Sequence, residues 1–266
     1  RPCASRPDRR ARAVYRRAMK ETVWITGASS GIGRALALRL AREGRRVVAS
    51  ARGTAALEAL AAEAGPNLTA LPLDTTDEKA CENAVAWIEA ETGALGLVVL
   101  NAGTHEATPA TAFAVAPFRR LVEINLMGTV NALAPVLASM RARRQGHIAV
   151  VASVAGYGGL PTAAAYGATK AALINMCEAL KPECDALGVK LQLVDPGFVR
   201  TPLTDRNPFP MPFLMELDDA VDRFVAGLTS DRFEIVFPRR FALLLKFLNM
   251  LPYGLYFRVV KRITGA

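Results

Sequence analysis

The sequence predicts an α/β fold, a single doubly wound parallel sheet flanked by helices. Three observations carry that expectation. Short, uniformly apolar runs alternate with amphipathic helical stretches from Glu21 onward, and strands apolar on both faces belong in a parallel sheet covered on both sides. Strict alternation of strand and helix calls for right-handed crossovers. No linker, repeat or low-complexity segment interrupts 21–238, so one domain is expected within the 266 residues.

The elements follow in order. "TVWIT" (22–26) reads as a buried strand and leads into a helix over 32–42. "RVVAS" (46–50) is the second strand, before an alanine-rich helix over 54–64. "LTALPLD" (68–74) is the third, and a Thr-Asp start opens an amphipathic helix over 77–91. "LGLVVLN" (95–101) is the fourth, followed by a long helical region over 117–143 that ends in "RARRQG", with glycine as the stop. "HIAVVAS" (147–153), a helix over 163–187 and "KLQLVDPG" (190–197) complete six strands.

Charge excludes one class of function. The net charge of +9 suggests a nucleic-acid binder until it is located. Residues 1–20 hold eight basic side chains and one acidic, and residues 239–266 hold six basic and none acidic. The body, 21–238, is net negative, with 19 basic and 23 acidic residues. No nucleic-acid partner is expected, whereas basic ends suit a membrane surface. Residues 1–18 have no apolar stretch for a secretory signal and read as a disordered leader, or as sequence ahead of a start at Met19. Cys3, Cys81, Cys177 and Cys184 form no C-x-x-C, and two cysteines seven apart on a helix stand about 10 Å apart, too far to bridge. His105 and His147 lack partners at metal spacing and read as loop and strand-edge residues. A cytoplasmic protein without a metal is expected.

In such a sheet ligands bind beyond the carboxyl ends of the strands. After the first strand comes "TGASSGIG", with Gly27, Gly31 and Gly33 in a G-x3-G-x-G spacing. Glycines permit a sharp strand-to-helix turn and close approach of backbone to a pyrophosphate, which the helix N-terminus attracts. The second strand ends at Ala51 and Arg52, without the acidic residue that would bind a ribose 2′-hydroxyl. A guanidinium there suits a 2′-phosphate, so NADP(H) is expected over NAD(H).

"AAAYGATKAAL" (163–173) sets Tyr166 and Lys170 four apart on one helical face. Alone, the pair reads as a half-buried tyrosine with a snorkelling lysine. A free phenol, with a pKa near 10, is a poor acid–base catalyst at neutral pH. An adjacent ammonium is expected to lower that value by stabilising the phenolate. The glycine turn, "NAG" (101–103), "YGATK" (166–170) and "DPG" (195–197), in this order, resemble the short-chain dehydrogenase/reductase family, in its branch of about 250 residues. The likeness runs from about Thr22 to Val236 and implies a Rossmann-like sheet.

The resemblance implies catalytic roles for Asn125, Ser153, Tyr166 and Lys170. Tyr166 would be the general acid/base, and Lys170 would tune it and hold the nicotinamide ribose. Ser153 would polarise the substrate oxygen, and Asn125 would hold a water that links the lysine to solvent. Cofactor contacts are implied at Ser29, Ser30 and Ile32 beside the three glycines. They are implied also at Asp74 for adenine, at Asn101, Ala102 and Gly103 for the adenosine ribose, and at Pro196, Gly197, Val199 and Thr201 for the carboxamide. Asp74 and Asn101 read equally as strand-end caps.

Three departures from the family pattern stand out. Ser30 occupies the position where many NADP-using members carry a basic residue. Pro182 lies within the helix after the catalytic turn and is expected to kink it, which bears on the homo-oligomer that the resemblance implies. The third is the C-terminus. Residues 202–220 hold four prolines and a run of apolar residues, and suggest a lid over a hydrophobic substrate. Residues 239–266 form a hydrophobic, basic extension whose apolar run is broken by Lys246, Asn249 and Pro252, unlike a spanning helix. It reads by default as a segment packed at an interface or over the active site, with a membrane-peripheral segment as the alternative.

The reading is an NADPH-preferring oxidoreductase that moves a hydride between nicotinamide and a hydrophobic carbonyl or secondary alcohol, with residues 19–238 as the catalytic domain. The alternatives are a non-catalytic dinucleotide-binding redox sensor and a membrane-peripheral scaffold that uses the C-terminal segment.

Overall fold

The computed structural model describes residues 21–206 and 211–264; the leader at 1–18 and residues 207–210 of the expected lid lie outside the described residues. Seven strands form one parallel sheet, β1 (Thr22–Thr26), β2 (Val47–Ala51), β3 (Leu68–Pro72), β4 (Leu95–Leu100), β5 (Gly146–Val151), β6 (Val189–Pro196) and β7 (Glu234–Phe237). Their spatial order is β3-β2-β1-β4-β5-β6-β7. Strand order reverses between β1 and β4, where ligands bind in open α/β sheets.

Nine α-helices connect and flank the described strands: α1 (Gly31–Arg42), α2 (Thr54–Ala64), α3 (Glu78–Thr92), α4 (Val115–Leu121), α5 (Gly128–Arg143), α6 (Ala164–Ala186), α7 (Leu217–Leu228), α8 (Arg239–Asn249) and α9 (Tyr253–Thr264). Side chains alternate across the sheet as a two-faced core requires. Val23 and Ile25 of β1 join Leu36, Leu57 and Phe224 on one face. Trp24 joins Ile88, Val136, Leu173 and Cys177 on the other. The run 115–143 is long and apolar enough to cross a membrane by length and composition. Here it lies on the second face of the sheet, where it buries Ala132, Leu133, Val136 and Met140.

The structure departs from the sequence expectations in instructive places. Strands expected to reach Asp74, Asn101, Ser153 and Gly197 stop at Pro72, Leu100, Val151 and Pro196. Those four residues stand just beyond the strands, at the carboxyl edge of the sheet. The long helix contains a π-helical turn, Val122–Met127, between α4 and α5. Helix α6, in agreement with the expected helix over 163–187, runs through Pro182 to Ala186. His147 is not an edge residue: it is buried in β5 and paired with Gln192 Oε1 at 2.7 Å, and burial lowers its pKa to about 3. The seventh strand, four residues with Glu234 and Val236 only partly buried, carries a weak apolar signal and is held by pairing with β6.

Candidate active site

Between β1 and α1 the chain turns through Gly27 at φ +67° and Gly31 at φ +55°, conformations that glycine adopts without strain. Gly33 is required for space. A Cβ there would stand 2.4 Å from Asn101 Nδ2 and 2.5 Å from the Gly27 carbonyl oxygen. Asn101 is accordingly occupied within the protein. Its amide donates to the Thr26 and Gly27 carbonyls at 3.1 Å each, and its N–H donates to Thr26 Oγ1 at 3.0 Å. The Ala102 N–H shares that hydroxyl at 3.1 Å. These bonds tie β1 to β4 at the point where strand order reverses.

A cleft of about 220 Å³ opens beside this turn, lined by Gly27, Ser29, Arg52, Asp74, Thr75 and Gly103 among others. Ser30 is the N-cap of α1, yet its side chain caps nothing, and the first turn, which begins with Gly31, Ile32 and Gly33, holds no acidic residue. The helix N-terminus therefore keeps amide donors for an anion. Arg52 is exposed at the rim. Asp74 Oδ1 accepts from the Thr76 N–H at 3.0 Å and from its hydroxyl at 2.8 Å, a strand-end cap. Burial pushes that carboxyl up, but these bonds and the Arg52 charge bring it below its ordinary value. Thr75, which sequence reasoning missed, also lines the cleft and touches Gly128: a Cβ on that glycine would lie 2.7 Å from Thr75 Oγ1. The left-handed glycines, the uncapped helix and the rim arginine fit a dinucleotide with its pyrophosphate at α1.

Tyr166 and Lys170 stand in the first two turns of α6. That helix is capped from outside: Thr108 Oγ1 accepts from the Ala165 N–H at 3.0 Å, while the Thr108 N–H donates to the Thr162 carbonyl at 2.7 Å. Lys170 Nζ lies 5.7 Å from the centre of the Tyr166 ring and donates to the Val151 carbonyl at 3.0 Å. Ser153 Oγ accepts from the Ala155 N–H at 3.1 Å and donates to the Pro196 carbonyl at 3.3 Å. Asn125 sits fully buried in the π turn. Its amide donates to the Thr104 carbonyl at 2.9 Å and to Thr169 Oγ1 at 3.2 Å, and its oxygen accepts from the Thr104 N–H at 2.8 Å. A Cβ at Gly103 would lie 3.3 Å from Asn125 Oδ1 and 3.6 Å from Lys170 Nζ, so that glycine lets the two groups share one corner.

Electrostatics correct one expectation. Burial holds the Tyr166 phenol above its ordinary value; the Ser153 hydroxyl lowers it in part, and Asp195 raises it. Lys170 itself is pushed down to about 8 by burial, against the opposing pull of Asp195. The protein's own groups therefore do not produce the lowered phenol pKa expected from the spacing, because desolvation, with the Asp195 charge, outweighs the Ser153 hydrogen bond.

Two further residues at the site went unseen in the sequence. His105 meets the Tyr166 ring edge-on, with centroids 4.9 Å apart, and burial lowers its pKa. Its place two residues beyond "NAG" was the available signal. Asp195 is fully buried behind Lys170, and its Oδ1 has no hydrogen-bond partner among the described residues. The Tyr157 hydroxyl lies 3.3 Å from Asp195 Oδ2 and 2.6 Å from Glu234 Oε1, and Lys246 donates to Glu234 at 2.6 Å. Burial and the Glu234 charge raise the Asp195 carboxyl. Burial also raises Glu234, but the Lys246 and Tyr157 hydrogen bonds bring it below the ordinary value.

Pro196, Gly197, Val199 and Thr201 close the site on the β6 side. Thr201 Cγ2 lies 3.4 Å from where a Gly31 Cβ would stand, which brings this segment onto the glycine turn. The Gly197 N–H donates to the Phe237 carbonyl at 2.8 Å, and the Val199 carbonyl accepts from Thr204 Oγ1 at 2.6 Å. The described part of the expected lid returns through Met215, which bridges Val199, and α7 begins at Leu217. Phe241 of α8 stacks on Phe198 at 5.6 Å and on Phe213 at 5.7 Å. It also packs with Val154, next to Ser153, so an aromatic wall stands beside the reactive corner.

Comparison with known proteins agrees with this geometry. The family model described as short chain dehydrogenase matches residues 21–208. An uncharacterised oxidoreductase of Myxococcus xanthus is 39% identical over 245 residues, 91% of this chain and 97% of that protein. A 3-oxoacyl-(acyl-carrier-protein) reductase of Rickettsia bellii is 34% identical over 186 residues, 70% of this chain and 76% of that protein. Among solved structures, a short-chain dehydrogenase from Streptomyces avermitilis matches with a TM-score of 0.76 and 26% identity, covering 85% of this chain and 91% of that one.

Proposed function

The chain belongs to the short-chain dehydrogenase family and is an NAD(P)-dependent oxidoreductase; on that premise we propose that it prefers NADPH and acts on a hydrophobic carbonyl or secondary alcohol, with Tyr166 as general acid/base. The observation that carries this reading is the meeting of Ser153, Tyr166 and Lys170 beside a glycine-turn cleft whose rim bears Arg52 and no acidic residue at the end of β2.

A bound nicotinamide supplies or accepts the hydride. In the reducing direction the Ser153 hydroxyl turns from the Pro196 carbonyl to the substrate oxygen and polarises it. Tyr166 gives its proton to that oxygen as the carbonyl carbon is reduced. The phenolate left behind is stabilised by the Lys170 ammonium and by the hydroxyl of Ser153. Asn125 and Val151 hold Thr104 and Lys170 in place around the ring. A phenol raised by burial is protonated at neutral pH, so the proton that the reduction needs is held at Tyr166.

The aromatic wall of Phe198, Phe241 and Phe213 supports an apolar substrate. The Rickettsia relative's name makes 3-oxoacyl thioesters one class to try. NADPH consumption is to be followed with a panel of apolar ketones and 3-oxoacyl thioesters, with Tyr166→Phe as control. Turnover that the variant loses supports the reading, and turnover that survives in the variant overturns the role of Tyr166. Tight NADPH binding without turnover on any of the panel speaks for a sensor.

A further inference from the structure

Helices α8 and α9 each turn one side inward. Phe241, Ala242 and Leu248 of α8 and Tyr256 and Val260 of α9 are buried, and the Tyr256 hydroxyl donates to the Gly159 carbonyl at 2.6 Å. The outward side is not uniformly polar, as it would be for a helix that only packs on its own domain; large apolar side chains stand among its cations. Leu243 and Phe247 of α8 and Met250, which caps its C-terminus, recur at i, i+4 and i+7 and are exposed, Met250 to 81%. On α9, Tyr253 is exposed to 79% and stacks on Phe257, one turn along, at 5.8 Å. This is a concentration of large apolar side chains in water that single scattered residues do not make.

Its charge says what covers it. Residues 239–264 contain no acidic residue. Lys246 is drawn inward to Glu234, while Arg239, Arg240, Arg258, Lys261 and Arg262 are exposed and, among the described residues, none of these five forms an ion pair. A second copy of the chain closing on this face would set those cations against their like, which disfavours it. Helices of 11 and 12 residues are too short to span a bilayer. Apolar side chains interleaved with unpaired cations, on helices of this length, match the boundary between acyl chains and anionic headgroups.

We propose that the α8–α9 pair seats this protein on the surface of an anionic phospholipid membrane, with Phe247, Met250, Tyr253 and Phe257 entering the acyl boundary and Arg258, Lys261 and Arg262 meeting the headgroups. Helix α8 also supplies Phe241 to the aromatic wall, so the docking face and that wall share one helix. Lipid binding is independent of the redox chemistry, and its failure would leave that reading intact.

The test is flotation of the full chain with phosphatidylcholine vesicles, with and without phosphatidylglycerol. The protein is expected to float with the anionic vesicles, to bind the neutral ones far more weakly, and to come off as salt rises. Arg258→Gln, Lys261→Gln and Arg262→Gln together are expected to weaken binding about a hundredfold. Phe247→Ser with Met250→Ser is expected to abolish it, while circular dichroism and the melting temperature stay unchanged, because all five side chains are exposed. Absence of flotation on either vesicle, or equal binding to both, overturns the proposal. So does light scattering that shows a dimer which Phe247→Ser with Met250→Ser dissociates, since the face would then join two copies.

Discussion

The Lys170 ammonium lies 5.7 Å from the centre of the Tyr166 ring but gives its hydrogen bond to the Val151 carbonyl at 3.0 Å. That carbonyl, at the end of β5, fixes the ammonium beside the ring. Tyr166→Phe keeps the ring and its contact with His105 and removes only the oxygen. Turnover is expected to fall by about 10²–10⁴-fold, with NADPH affinity within about twofold of the parent by fluorescence titration.

Asp195 works against burial to keep Lys170 charged, and it raises Tyr166 as well. Asp195→Asn removes that charge at nearly constant shape. The Lys170 pKa, about 8 in the parent, is expected to fall, and the Tyr166 phenol to fall with it. The alkaline limb of the kcat/KM profile for carbonyl reduction should move to lower pH. A profile that only scales down, with its limb unmoved, would assign Asp195 a packing role alone.

Arg52 stands at the cleft rim, exposed and with no carboxylate to replace it at the end of β2. Arg52→Ala is expected to raise the KM for NADPH by about 10–100-fold, the value of a charged hydrogen bond to phosphate. The KM for NADH should stay within about twofold. Equal loss for both cofactors would place the 2′-phosphate elsewhere.

Thr108 caps the helix that carries Tyr166 from a segment 57 residues away. Thr108→Val leaves the Ala165 N–H unpaired and is expected to cost about 1 kcal/mol in denaturant unfolding. Because the frayed turn holds Tyr166, kcat should drop more than cofactor affinity does.

His105 packs its edge on the Tyr166 ring. His105→Leu keeps bulk and loses the aromatic contact, worth about 0.5–1.5 kcal/mol. A decrease in kcat of about 2–10-fold is expected, with no new ionisation in the pH profile between 5 and 8, the range where histidine would titrate.

Much of the architecture was legible in the residues alone, for a physical reason. A parallel sheet covered on both faces needs strands that are apolar throughout, and its crossovers need amphipathic helices, so "TVWIT", "LGLVVL" and the helices between strands declare themselves locally. The glycines of "TGASSGIG" declare themselves through backbone geometry, and Tyr166 and Lys170 through helical spacing. Each of these is a property of a few neighbouring residues.

What only the tertiary structure decided are the relations between distant residues. Asn101 reads both as a ligand contact and as a strand-end cap, and only the fold shows its amide 3.1 Å from the carbonyls of Thr26 and Gly27. Asp195 reads as the end of the sixth strand, and only the fold buries its carboxylate where its charge reaches Lys170 and Tyr166; β7 is too short to be heard before it pairs with β6. The phenol pKa followed the same rule. Spacing gave Tyr166 a cation for a neighbour, but the desolvation that raises its pKa comes from the elements packed around it, and no stretch of sequence carries that sum.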